Sequence, residues 1–161
     1  GQTLGNLGNI YRNLADNKRA IEFLDKSLHI LREIGDYRGE SNALDNLGLT
    51  YTALGDIERA IEFHKQSLGI AQRMGDRKSE GRVLCNLDEA HFSLGEIERA
   101  VDLFQRDLAI VDETGDSISK GGVLNNLGAA YFSLGEIERA IQIYEQVLDI
   151  AREIGDRRSE G

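Results

Sequence analysis

The sequence predicts an all-α fold built by tandem repetition. Three observations carry that expectation: a forty-residue pattern occurs four times, no proline interrupts the 161 residues, and apolar spacing within each copy is helical twice over. Asn-Leu stands at Asn6-Leu7, Asn46-Leu47, Asn86-Leu87 and Asn126-Leu127, and Gly-Asp at Gly35-Asp36, Gly75-Asp76, Gly115-Asp116 and Gly155-Asp156. Ten of the forty columns hold a single residue type in all four copies, among them those of Leu4, Leu14, Arg19, Ala20 and Ile30. Self-similarity at such a period marks an array of stacked units.

In the second copy Leu44, Leu47, Gly48, Tyr51 and Leu54 step by three and four. They share one face of a first helix, helix A, over about Arg38–Leu54. Gly55-Asp56 ends it, because glycine accepts the left-handed conformation past a helix C-terminus and aspartate caps the next N-terminus. Ile57, Ala60, Ile61, His64, Leu68 and Ala71 then form the face of helix B, over about Ile57–Met74, and Gly75-Asp76 repeats the stop. Carried through the chain, this predicts about eight helices in repeats at about 1–36, 37–76, 77–116 and 117–156, with 157–161 starting a further helix. Two such helices alone bury too little surface, so stacking must supply the stability, and an α-solenoid follows. Gly1 occupies the column of Ser41, so the first helix A lacks its opening turn. Neither end carries a polar capping helix, and the chain reads as one array, a fragment of a longer protein.

Charge and composition narrow the function. With 19 Lys and Arg against 28 Asp and Glu the formal charge is −9, a surface that repels phosphate backbones, so no nucleic-acid partner is expected. No apolar run approaches the roughly 20 residues that span a bilayer, so no membrane partner is expected either. A single Cys85 forms no internal disulfide, and cytoplasm is the expected compartment. Cys85, Asp88 and Glu89 share a helix face, but without a second cysteine they make a poor soft-metal set. Cys85 has no histidine on its own face to activate it, and the glycines terminate helices rather than form a phosphate loop. No catalytic residue, metal or cofactor is expected.

The spacing Leu-x2-Leu-Gly-x2-Tyr, then Ala nine residues later, resembles the tetratricopeptide repeat. It stands as Leu4-Leu7-Gly8-Tyr11-Ala20, Leu44-Leu47-Gly48-Tyr51-Ala60 and Leu124-Leu127-Gly128-Tyr131-Ala140. The aromatic expected four residues after Ala is Phe104 and Tyr144, with Leu24 and His64 in the other copies. The usual proline after helix B is absent, which lets helix B run on toward Gly35 and its equivalents and accounts for the six residues beyond the usual thirty-four. The forty-residue type is similar to arrays of the LGN/Pins spindle-orientation adaptors, with Leu7-Gly8-Asn9 as one instance of their motif, and to arrays in bacterial signalling proteins. The resemblance implies a right-handed superhelix of four helix-turn-helix units with a concave face lined by helix A columns 2, 5, 6, 9, 12 and 13. On a helical wheel those columns lie opposite the Leu-Leu-Gly-Tyr face.

That lining supplies the candidate site: Asn6, Asn9, Asn46, Arg82, Asn86, Phe92, Asn126 and Phe132 as residues binding a peptide segment of a protein partner. An asparagine amide donates and accepts, so the column Asn6, Asn46, Asn86, Asn126 suits an extended backbone; the same column equally suits hydrogen bonds that fix repeat packing. Phe92 and Phe132 anchor an apolar ligand group or pack between neighbouring helices. The family's clamp for chaperone tails is not matched, because Gly5 and Asn86 stand where it needs basic residues. In the third copy Asp88 replaces the packing glycine, His91 the tyrosine, and Asp107 the serine of Ser27 and Ser67. These polar groups need partners or they weaken the repeat, by tolerated drift or as a pH-sensitive joint. Two further roles stand beside peptide binding: a sensor array of a larger signalling ATPase or transcription regulator, and a scaffold associating end to end, since Gly161 has the phase of Gly1.

Overall fold

The computed structural model describes residues 1–115 and 117–159. The eight expected helices are α1 Gln2–Asn13, α2 Asn17–Glu33, α3 Tyr37–Ala53, α4 Ile57–Met74, α5 Arg77–Ser93, α6 Ile97–Thr114, α7 Ser117–Ser133 and α8 Ile137–Ser159. Among the described residues there is no strand. The bounds of α3 and α4 fall within one residue of those drawn from the apolar spacing, and α1 is short by its opening turn.

Turn chemistry sets these boundaries. Gly35, Gly55, Gly75, Gly95, Gly115 and Gly135 all have φ between 65° and 78°, the left-handed region that glycine enters without a Cβ clash. Repeat one must use Ala15 at that position, at φ 59°, an unfavourable conformation for any L side chain. Asp16, Asp36 and Asp56 then accept the backbone N–H three residues on, at 2.9–3.2 Å, and Asp76 does so from Ser79 at 3.1 Å. Glu96, one methylene longer, makes no such side-chain cap on α6.

The chain forms two compact units, Gly1–Ala90 and His91–Gly161. In the first, Leu24, Leu28 and Leu31 of α2 pack with Ala43, Leu44 and Leu47 of α3. In the second, Val101, Phe104 and Val111 of α6 pack with Val123, Leu127 and Ala130 of α7. The small Gly48 is required by close approach: a Cβ there would lie 2.5 Å from His64 Cε1. The repeated arginine also has a physical role. Arg19, Arg59 and Arg139 place their guanidinium 5.4–5.6 Å from the ring centroids of Tyr11, Tyr51 and Tyr131, a cation–π geometry. Where His91 replaces the tyrosine, His91 Nδ1 and Arg99 Nη1 instead donate to Glu96 Oε2 at 2.7 and 2.9 Å.

One boundary differs from expectation. Helix α8 continues through Gly155 to Ser159, so neither the stop at Gly155 nor a separate helix starting at residue 157 is present. The Asp116 cap and the Gly161 junction lie outside the described residues. No described helix is long and apolar enough to cross a membrane.

Candidate peptide-binding cleft

The columns that face away from the Leu-Leu-Gly-Tyr stripe in α1 and α3 line a cleft of about 380 Å³ in the first unit. Its α1 wall is Gln2, Gly5, Asn6 and Asn9, and its α3 side presents Arg38, Gly39, Asn42 and Asn46. Leu31 and Ala43 line its apolar part. Helix A buries one stripe against helix B and turns the opposite one outward, and these cleft residues of α1 and α3 lie on the outward side. Asn9 Oδ1 is shielded from solvent and has no hydrogen-bond partner among the described residues.

The asparagine column is also engaged within the protein. Arg12 Nη1 donates to Asn46 Oδ1 at 3.0 Å, and Asn86 Nδ2 donates to Asp45 Oδ1 at 2.9 Å, so each links helix A of one repeat to that of the next. The Asn46 oxygen is thus held within the protein. Arg12 is half-buried, with its pKa pulled below the usual arginine value by burial, and it has no acidic partner among the described residues.

Arg82 is not free to meet a ligand alone. Its Nη1 donates to Asp45 Oδ2 and its Nη2 to Asn42 Oδ1 at 3.2 Å. Asp45 is completely buried and also accepts from His64 Nδ1 at 2.8 Å. Because a carboxylate only accepts, Nδ1 carries the proton, and Nε2 is left as a bare, buried acceptor. Burial lowers the His64 pKa from 6.5 to about 4. Arg82 already balances the charge of Asp45, so a second cation on His64 would be unmatched. Sequence reasoning placed Asp45 on the lining but missed this network. Column 5 holds Gly5, Asp45, Cys85 and Asn125 and column 24 holds Leu24, His64, Phe104 and Tyr144, so neither column singles out the pair.

The remaining predicted residues lie in the second unit. Phe92 is half-buried against the core around Phe104, whereas Phe132 is 63% exposed and Asn126 is half-buried. Thus Asn6, Asn9 and Asn46 share one cleft, Arg82 and Asn86 share Asp45, and Phe92, Asn126 and Phe132 belong to the other unit. Among the described residues no group of three or more His, Cys, Asp or Glu side chains is placed to hold a metal ion.

Repeat spacing, helix pairing and glycine turns agree with a sequence comparison: the tetratricopeptide repeat profile matches residues 1–73 and 75–156. The chain belongs to the tetratricopeptide repeat family. No curated protein sequence matches it. Solved structures share its fold. BtubC of P. vanneervenii is 24% identical with a TM-score of 0.87, over 94% of this chain and 63% of that one. A signal transduction ATPase with numerous domains and a tetratricopeptide repeat sensor, from Pyrococcus horikoshii, is 20% identical with a TM-score of 0.88, over 98% of this chain and 25% of that one. A Rap protein complexed with competence and sporulation factor is 18% identical with a TM-score of 0.81, over 96% of this chain and 43% of that one. The chain thus spans less than two thirds of each of these proteins.

Proposed function

We propose that this tetratricopeptide array is a non-catalytic binding module that takes an extended peptide segment of a protein partner in the α1–α3 cleft. The observation that carries the reading is the amide lining of that cleft: Gln2, Asn6, Asn9, Asn42 and Asn46 around a small apolar floor. Amides satisfy a peptide backbone whatever its side chains, and Leu31 with Ala43 offers a subsite for an apolar residue. The fold shared with a Rap protein solved with a bound factor supports a peptide ligand. Arg82 and Asn86 act through Asp45, holding the next helix A in place, while Phe92, Asn126 and Phe132 form a separate contact surface.

The test is selection of a random-peptide library on the immobilised chain, beside an Asn6→Ala/Asn9→Ala variant of equal helicity. Peptides retained by the wild type and lost by the variant support the cleft. Equal retention by both refutes it. A second reading, a sensor array within a larger signalling ATPase, is supported by the shared fold with the Pyrococcus horikoshii protein. The sequence flanking this array in its parent decides it, since a sensor requires an adjoining nucleotide-binding module.

A further inference from the structure

Building on the peptide-binding reading above, on which this inference rests, we propose that the Asn46 end of the α1–α3 cleft is a subsite for a carboxylate of the peptide. The geometry begins on α3, whose outward stripe carries Asn42, Asp45 and Asn46. Every side-chain oxygen of these three residues is already engaged. Arg82 Nη2 donates to Asn42 Oδ1 at 3.2 Å, and Arg12 Nη1 donates to Asn46 Oδ1 at 3.0 Å. The completely buried Asp45 accepts from His64 and Asn86 at Oδ1 and from Arg82 at Oδ2. An amide whose oxygen is held turns its NH2 to whatever arrives, so this stripe offers a ligand donors only. The matching group on the ligand is an acceptor.

Charge decides which acceptor. Arg82 is matched by Asp45, whereas Arg12 is half-buried beside Asn46 with no carboxylate partner among the described residues. Desolvation without a counter-charge disfavours the cation, which is the direction in which the Arg12 pKa moves. An incoming anion reverses that penalty. With Nη1 spent on Asn46, Arg12 keeps its Nε–Nη2 edge, the fork that fits both oxygens of a carboxylate. Among the described residues that line the cleft, the one carboxylate is Asp36, and its Oδ1 is occupied in capping α3 at Gly39 N–H. It lies ten residues before Asn46, about 15 Å along the helix, where salt screens it from the subsite. The chain as a whole carries a charge of −9 and repels acidic peptides at long range, so a preference for them reports this local site.

The experiment compares three libraries of short degenerate peptides on the immobilised chain. One has blocked ends and a central Glu, one has blocked ends and a central Gln, and one has a central Gln and a free C-terminal carboxylate. Retention is measured on the wild type, on Arg12→Gln, and on Asn6→Ala/Asn9→Ala, with circular dichroism verifying equal helicity. The wild type is expected to retain a carboxylate-bearing library about tenfold better than the blocked Gln library, the size of one charge-assisted hydrogen bond. Whether the Glu or the free-terminus library gains shows which carboxylate the subsite takes. Arg12→Gln is expected to lose that preference and still retain the blocked Gln library. Equal retention of all three by the wild type, or a preference that survives in Arg12→Gln, overturns the carboxylate subsite. If such equal retention is also lost in Asn6→Ala/Asn9→Ala, the peptide cleft itself stands. Retention of no library by the wild type overturns both.

Discussion

The buried Asp45–His64 pair can be dissected by exchanging it for the apolar arrangement that repeat one already uses. There, column 5 is Gly5 and column 24 is Leu24, which packs against Gly8 as His64 packs against Gly48. Asp45→Ala alone removes the acceptor of His64 Nδ1, strands a fully buried N–H and releases Asn86. An unsatisfied buried donor costs about 1–3 kcal/mol, and Arg82, which reaches solvent, adds little to that. His64→Leu alone leaves the buried Asp45 carboxylate with Arg82 and Asn86 only, and a comparable loss of about 2–3 kcal/mol is expected. The double variant removes both polar partners and restores a packing like that of repeat one, so it should cost less than either single change. Urea unfolding followed by circular dichroism, with all four proteins at pH 7.5, measures the cycle. A coupling of about 2 kcal/mol or more supports the network. Additive losses would refute it, because they would mean that the two side chains are stabilised by separate surroundings.

Three further expectations rest on single residues. The folded-state pKa of His64 is depressed to about 4, so the unfolded chain takes up its proton first, and stability is lost as pH falls from 6.5 toward 4, by about 3 kcal/mol. Burial raises Asp107 of α6 from 3.8 to about 6, which has the opposite sign: its unit is stabilised as pH falls from 6 to 4, by up to about 3 kcal/mol. Urea midpoints at pH 7.5, 6 and 4.5 for His64→Leu and Asp107→Asn separate the terms, each variant losing its own slope; unchanged slopes contradict the assignments. Ala15→Gly relieves the left-handed alanine between α1 and α2 and should raise stability by roughly 0.5–1 kcal/mol, read as a higher thermal midpoint. A lower midpoint would show that the unfolded-state entropy of glycine outweighs the strain.

Periodicity was enough to reveal the helices and the outward stripe of α1 and α3, because both follow from 3.6-residue spacing and from glycine at the turns. The repeated arginine was legible as a column but not as a stacking partner of tyrosine, since the contact spans eight residues across a turn. The Asp45 network required knowing that column 5 meets column 24 of its own repeat and columns 2 and 6 of the next. That information lies in packing geometry rather than in spacing. At the end of α8, Gly155-Asp156 has the residue types of the other turns, yet the helix runs through it to Ser159. The pairing of Arg82 with the buried Asp45 carboxylate belongs to the same packing geometry.

The central claim is that a peptide lies against the amides of the α1–α3 cleft. Its most direct measurement is the 15N–1H spectrum of side-chain NH2 groups as a library-selected peptide is titrated in. The account predicts saturable shifts of Asn6, Asn9, Asn42 and Asn46, all lining that cleft, with the amide of Asn125, an exposed residue of α7 in the second unit, unmoved. Binding that leaves those four resonances in place and shifts others would contradict it.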